Sequence, residues 1–260
     1  MQRSSPVSRS LSQPIRAVVW DFDNTLVDTR AKNLSVTRRI IERVTGRSAD
    51  EFHALRSLDA YDDVIHHTQN WQTLYRVEFG LERELIQEAG GLWTGYQLTD
   101  PTPTPWFSGI VQVVRSLSHL PQAIVSMNTR DNIGDGLSRA GVANEFDLVI
   151  GCEEVQYNRQ KPAPDGLLHC MEEFDVVDAA TVIYVGDHPV DAECAANANT
   201  TLSARGATGR VLSIGALYGT AVRDGPWPVM PDYEAATPHE VLEIVLQAAT
   251  TPDGEVPSAG

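Results

Sequence analysis

Four short segments of this chain carry the side chains best suited to chemistry. Asp21-Phe22-Asp23-Asn24-Thr25 sets two carboxylates two residues apart, and Ser126-Met127-Asn128 offers a hydroxyl and consecutive amides. Lys161-Pro162 brings an ammonium, and Gly186-Asp187-His188-Pro189-Val190-Asp191 adds two more carboxylates. Carboxylates can attack an electrophile, hold a hard divalent cation or move a proton. A lysine beside them offsets gathering negative charge. Of the 20 basic residues only Lys32 and Lys161 are lysines, so a lysine in this chain is poor surface filler.

For these segments to act together, the elements before them must bring them to one place. Ala17–Trp20, Ala123–Val125, Leu148–Ile150, Thr181–Val185 and, less sharply, Val211–Ile214 are short β-branched or apolar runs. Such runs suit strands covered by helices on both faces. Helical patterns fill the gaps: Ile110, Val111, Val113, Val114, Leu117 and Leu120 recur at helical spacing, and Thr237-Pro238-His239-Glu240 forms a capping box that opens a last helix. Alternating strands and helices predict a three-layer α/β fold around a parallel sheet. In an open parallel sheet, ligands bind beyond the carboxyl ends of the strands. The four segments follow the first, second, third and fourth runs, so they converge on one edge. Asp23, two residues along a strand from Asp21, points the same way.

Residues 31–104 break the alternation. They predict helices over Asn33–Val44, Asp50–Leu58, Tyr61–Phe79 and Glu82–Gln97, and the segment Pro101-Thr102-Pro103-Thr104-Pro105 returns the chain stiffly to the sheet. A helical insertion there would serve as a lid. Residues 1–15, rich in Ser and Arg, and 250–260, rich in Pro, Gly and Ser, are expected to be loose tails, leaving 16–30 and 105–249 as the α/β core.

In order and spacing, the four segments resemble the four motifs of the haloacid dehalogenase superfamily, and the match spans about residues 16–245. The insertion resembles that superfamily's C1-type helical cap, and phosphoglycolate phosphatase-like enzymes are the nearest apparent relatives. The resemblance implies a Rossmann-like core, a mobile cap and a magnesium-dependent phosphoaspartyl enzyme. Asp21 would be the nucleophile. Asp23 would protonate the leaving alcohol and then activate water. Ser126 and the amides around Met127 and Asn128 would bind phosphoryl oxygens, with Lys161 pairing with both the nucleophile and the transferring group. Mg²⁺ would be held by Asp21, Asp187, Asp191 and the backbone carbonyl of Asp23.

The same resemblance separates branches. Asp23 disfavours the dehalogenases, which lack this carboxylate, and the transport ATPases, which carry Thr there and need membrane helices. Phosphonatases need a cap lysine, and only Lys32 lies near the insertion. β-Phosphoglucomutases carry a His twelve residues after the nucleophile, where this chain has Asn33. A phosphatase acting on a small phosphorylated metabolite is therefore expected, with phosphotransfer or a non-catalytic binding protein as rivals.

Among weaker features, His188 is expected to face solvent, Arg159 either to reach an anionic substrate tail or to be a solvated loop arginine, and His66 and His67 to be surface residues. Trp71, Tyr75 and Phe79, at i, i+4 and i+8, should build the insertion's own core rather than a substrate platform. Asn199–Gly209 is long for a connection and leaves the fifth strand uncertain.

Across 260 residues, 20 basic against 35 acidic side chains give a formal charge of −15. That balance repels nucleic acid and anionic membranes. No apolar run reaches the roughly 20 residues of a membrane helix. Cys152, Cys170 and Cys194 form no disulfide framework or CxxC pair, which fits a reducing, cytoplasmic compartment, and Cys152 and Cys194 should be small packed side chains; a monomer or homodimer is expected.

Overall fold

The computed structural model describes residues 13–68, 70–219 and 227–250. In chain order, β1 (Ile15–Trp20) is followed by α1 (Arg30–Thr45), α2 (Leu58–His66), α3 (Trp71–Val77) and α4 (Arg83–Thr99). Next come α5 (Ile110–Ser116), β2 (Gln122–Val125), α6 (Arg130–Ala140), β3 (Leu148–Ile150), α7 (Asp165–Glu173), β4 (Thr181–Gly186) and α8 (Pro189–Ala204). β5 (Arg210–Ala216), β6 (Tyr233–Ala235) and α9 (Pro238–Thr250) complete the described chain.

The strands form one sheet of order β3-β2-β1-β4-β5-β6, and every neighbouring pair is parallel. Alternate residues of β1 serve opposite faces. Val18 and Trp20 pack with α5, α6 and α9 on one side, while Ala17 and Val19 pack with α7 and α8 on the other. Trp20 is fully buried, and its indole N–H donates to Gln122 Oε1 at 3.0 Å while Gln122 Nε2 donates to the Val114 carbonyl at 2.9 Å. The polar edge of the largest core side chain is thereby satisfied.

The order reverses between β1 and β4, the place where a crevice opens in such sheets. Hydrogen bonding continues past the strand ends, with Asp21 N–H on the Val185 carbonyl at 2.8 Å and Ser126 N–H on Ile150 at 3.0 Å. Three segments of the site are thereby held at one edge.

Helices α1–α4 enclose a separate core of Val36, Ile40, Leu55, Leu74, Tyr75 and Phe79, among others. The two crossings to this module run side by side: Asp28 N–H donates to the Pro105 carbonyl at 2.9 Å and Phe107 N–H to Leu26 at 3.2 Å.

Several expectations need correction. Asp50–Leu58 is two 3₁₀ turns, Ala49–Glu51 and His53–Leu55, because Ser48 and Glu51 cap the first turn reciprocally and Phe52 between them is extended. Tyr61–Phe79 is two helices, α3 starting afresh where the Asn70 side chain accepts from Thr73 N–H at 2.8 Å. The segment from Asn199 is not a long loop, since α8 runs to Ala204 and the connection to β5 is short. β5 is longer than Val211–Ile214, and β6 escaped the sequence pattern altogether. Residues 1–12 and 251–260, most of the two expected tails, lie outside the described residues. Gln13–Ile15 belong to the fold, with the Pro14 carbonyl accepting from Thr181 N–H at 2.8 Å.

Candidate active site

Asp21 and Asp23 leave β1 through a tight turn. Asn24 adopts φ 57°, a left-handed conformation that Asn tolerates, and its N–H donates to the Val27 carbonyl at 2.7 Å. Gly219, beyond β5, closes on this turn: a Cβ there would stand 1.5 Å from the Asn24 carbonyl oxygen, so only glycine fits.

Lys161 arrives from the loop before α7 and is buried, with its Nζ 2.6 Å from Asp21 Oδ1 and 2.6 Å from Asp191 Oδ1. Burial works against its charge, but the two carboxylates outweigh it and hold the ammonium above its ordinary range. Asp191 is partnered on both oxygens, since Tyr184 OH donates to Oδ1 at 3.0 Å and His188 N–H to Oδ2 at 3.1 Å. Its carboxylate lies against Gly186, where an added Cβ would come within 2.3 Å. The glycine that ends β4 therefore makes room for the aspartate of α8.

One oxygen each from Asp21, Asp187 and Asp191 lies within 4.8 Å of the others, and all three residues are buried. Burial pushes Asp21 up to about 7 against the pull of Lys161, and burial with the neighbouring Asp21 and Asp191 raises Asp187 well above the usual carboxylate range. Three carboxylates facing one ammonium leave an excess of buried negative charge. A hard, oxygen-preferring divalent cation fits this donor set and would relieve the excess.

Asp23 is also raised, by burial first, while hydrogen bonds from Thr29 and Asn128 pull it down. Asn128 Nδ2 donates to Asp23 Oδ1 at 3.2 Å, and Asn128 N–H to Ser126 Oγ at 3.2 Å. Ser126 Oγ thus keeps its own proton to donate elsewhere. Met127 completes this stretch, and Ser126, Met127 and Asn128 all face the same cavity as Asp21, Asp23, Lys161, Asp187 and Asp191. Every residue singled out in the four segments is brought together.

The cavity, about 280 Å³, lies between the sheet edge and the helical module. His188 corrects the expectation of a solvent-facing ring. Its Nδ1 accepts from Val190 N–H at 3.3 Å, so Nε2 carries the proton and donates to the Ile65 carbonyl of α2 at 3.3 Å. It therefore ties α8 to the module. Thr94 Oγ1 of α4 makes a second link, to Thr129 Oγ1 at 3.3 Å. Arg159 stays outside the cavity, 61% exposed and 3.3 Å from Asp165. His67 is exposed, while the His66 side chain lies outside the described set. Tyr75 and Phe79 build the module's core as expected, but Trp71 and Tyr75 also line the cavity. Cys194 is buried, whereas Cys152 is half-buried on the cavity wall.

Tyr184, Gly219, Arg30, Asp62 and Trp93 were not singled out in the sequence. Tyr184 had a signal: it is the one aromatic hydroxyl in the apolar run of β4. Gly219 depends on how the segment after β5 closes on the Asn24 turn, and the others on how the module meets the sheet.

Among curated proteins, none matches this chain. The fold is similar to that of a haloacid dehalogenase-like hydrolase from Bacteroides fragilis, at 20% identity and TM-score 0.69, covering 87% of this chain and 99% of that one. It is also similar to a protein from Lactobacillus plantarum assigned as a phosphoglycolate phosphatase, at 18% identity and TM-score 0.69, with 89% and 99% covered. A protein from Clostridium acetobutylicum assigned as a phosphatase gives TM-score 0.71 at 16% identity, with 90% and 99% covered. The sequence model of the haloacid dehalogenase-like hydrolases matches residues 18–204, well over half of the chain. With its four polar segments gathered at the β1/β4 crevice, this chain belongs to the haloacid dehalogenase-like hydrolase family.

Proposed function

We propose that this protein is a magnesium-dependent phosphatase that hydrolyses a small phosphorylated metabolite through an aspartyl-phosphate on Asp21. The observation that carries it is the buried Asp21–Lys161–Asp191 chain, with 2.6 Å contacts at both ends, beside Asp23 and Asp187. Mg²⁺, held by Asp21, Asp187, Asp191 and the Asp23 carbonyl, would neutralise charge on the phosphoryl oxygens.

Lys161 occupies one Asp21 oxygen and, with the bound cation, would favour the ionised carboxylate, which leaves the other oxygen to attack phosphorus. Ser126 Oγ–H and the Met127 amide, which has no partner among the described residues, donate to phosphoryl oxygens. As the P–O bond to the alcohol breaks, Asp23 gives its proton to the leaving oxygen. Asp23 then takes a proton from the water that attacks phosphorus, and cleavage of the Asp21–phosphorus ester restores the carboxylate. The raised position of Asp23 suits an acid that must hold its proton until then.

Hydrolysis is favoured over phosphotransfer at Asn33. Its Nδ2 donates to Thr29 Oγ1 at 3.2 Å and its Oδ1 accepts from Gln97 Nε2 at 2.7 Å, so a fixed neutral amide stands where a mutase needs a proton carrier. Residues 31–104 would act as the mobile cap. No described helix is long and apolar enough to cross a membrane, and the three cysteines are free thiols. The test is phosphate release from 4-nitrophenyl phosphate with and without magnesium. Full magnesium-dependent activity in Asp21→Asn would overturn the proposal.

A further inference from the structure

The module's half of the cavity bears on what the leaving alcohol can be. Tyr61 and Ile65 of α2, Trp71 and Tyr75 of α3, and Trp93 of α4 line it. Trp71 and Tyr75 meet edge to face, with ring centroids 5.5 Å apart and planes at 80°. The indole has its place because residue 90, inside α4, is glycine: a Cβ there would stand 2.7 Å from Trp71 Cη2. Glycine inside a helix is unfavourable, and here it admits a fixed aromatic wall.

Charge on that wall excludes as much as the rings admit. Among the described residues, Arg30 and Lys161 are the only lysine or arginine side chains lining the cavity. Lys161 is committed to Asp21 and Asp191. Arg30 grips Asp28 with two hydrogen bonds, of 2.9 and 2.7 Å, and its Nη1 lies 3.5 Å from Asp62 Oδ2. Two carboxylates therefore surround one guanidinium, and neither cation is left to receive a second anionic group on the substrate. Asp62 Oδ2 is itself buried against that guanidinium, so it stays with Arg30.

Resting on the phosphatase proposal, we infer that the leaving group is an uncharged alcohol bearing a flat ring that lies against Trp71. Short phosphorylated acids such as phosphoglycolate are then poor substrates.

The test compares kcat/KM of the full chain with magnesium on 2-(4-hydroxyphenyl)ethyl phosphate, 2-phenylethyl phosphate and phosphoglycolate. Both ring esters should exceed phosphoglycolate by roughly tenfold or more. Gly90→Ala, which displaces the indole, should shrink that ratio at least about threefold while far-ultraviolet circular dichroism stays native. Phosphoglycolate turned over as well as the ring esters, or a ratio unmoved in a folded Gly90→Ala protein, overturns the inference. If no ester is hydrolysed, the phosphatase proposal fails, and tryptophan quenching by the three esters in Asp21→Asn decides the site. Tighter binding of the ring esters supports the inference, and equal or tighter binding of phosphoglycolate overturns it.

Discussion

Lys161 and Asp191 meet at 2.6 Å in the buried floor of the cavity, and the same ammonium reaches Asp21 at 2.6 Å. With Tyr184 and the His188 amide also on its carboxylate, Asp191 fixes the lysine that faces Asp21. Removing the ammonium leaves buried carboxylates without their counter-charge. Lys161→Met should therefore lose activity by about 10²–10³-fold and lose about 3 kcal/mol of stability in the presence of a chelator. Urea unfolding with and without magnesium checks the second part. Unchanged stability in chelator would mean that the ammonium contributes nothing to the folded state.

The site's charge also sets a pH dependence. Asp21 titrates near 7 in the metal-free protein against an ordinary 3.8, and Asp187 is raised as well, in both cases chiefly by burial. Between pH 3.8 and 7 the folded chain therefore binds more protons at Asp21 than the unfolded chain. Stability then falls as pH rises through that window. In chelator, the melting temperature should drop from pH 5.5 to 8, and magnesium should raise it more at pH 8 than at pH 6, because the cation displaces protons. Asp187→Asn should flatten both trends. A metal-free melting temperature that climbs from pH 6 to 8 would contradict this account.

Much of the site was legible because each reactive residue follows an apolar run, and a parallel sheet delivers strand ends to one edge. Asp21, Ser126 and Asp187 could be placed from that alone, without knowing the strand order. Residues whose role depends on contact between distant elements could not. His188 is half-buried because α2, more than a hundred residues earlier, comes down on it. Asp62 is just another acidic helix residue until Arg30 turns towards it, and Gly90 looks like a weak point in α4 until Trp71 is seen against it. β6 has three residues and no alternation to detect. The break between α2 and α3 rests on one capping asparagine inside an otherwise continuous helical pattern.

The His188–Ile65 contact predicts how the module is held. The ring is fixed by Val190 on one side and donates to α2 on the other, so His188→Ala removes a tie between the sheet edge and the module. A single hydrogen bond of this kind contributes about 1 kcal/mol. Amide exchange over Leu58–His66 should accelerate by about fivefold in His188→Ala, while exchange over β1 and β4 stays as in the parent protein. Equal acceleration in the sheet would show that the substitution loosens the whole fold rather than this contact.

Asp23 lies within reach of Asn128 and Thr29 and is held above its usual range by burial, conditions that keep a proton available for a leaving alkoxide. How much that proton matters depends on the alcohol. A nitrophenolate departs readily without one, whereas an alkoxide must be protonated as it leaves. Asp23→Asn preserves the shape and the Asn128 contact at the oxygen but supplies no acid. Its loss in kcat should accordingly be steeper for 2-phenylethyl phosphate than for 4-nitrophenyl phosphate, by about tenfold or more. The second half of the cycle has the opposite signature: with the good leaving group, phosphoryl transfer to Asp21 outruns hydrolysis, so the variant should accumulate phosphoenzyme that intact-mass analysis detects. Equal losses on both esters, with no phosphoenzyme, would remove Asp23 from both proton transfers and leave its burial beside Asp21 without a chemical purpose.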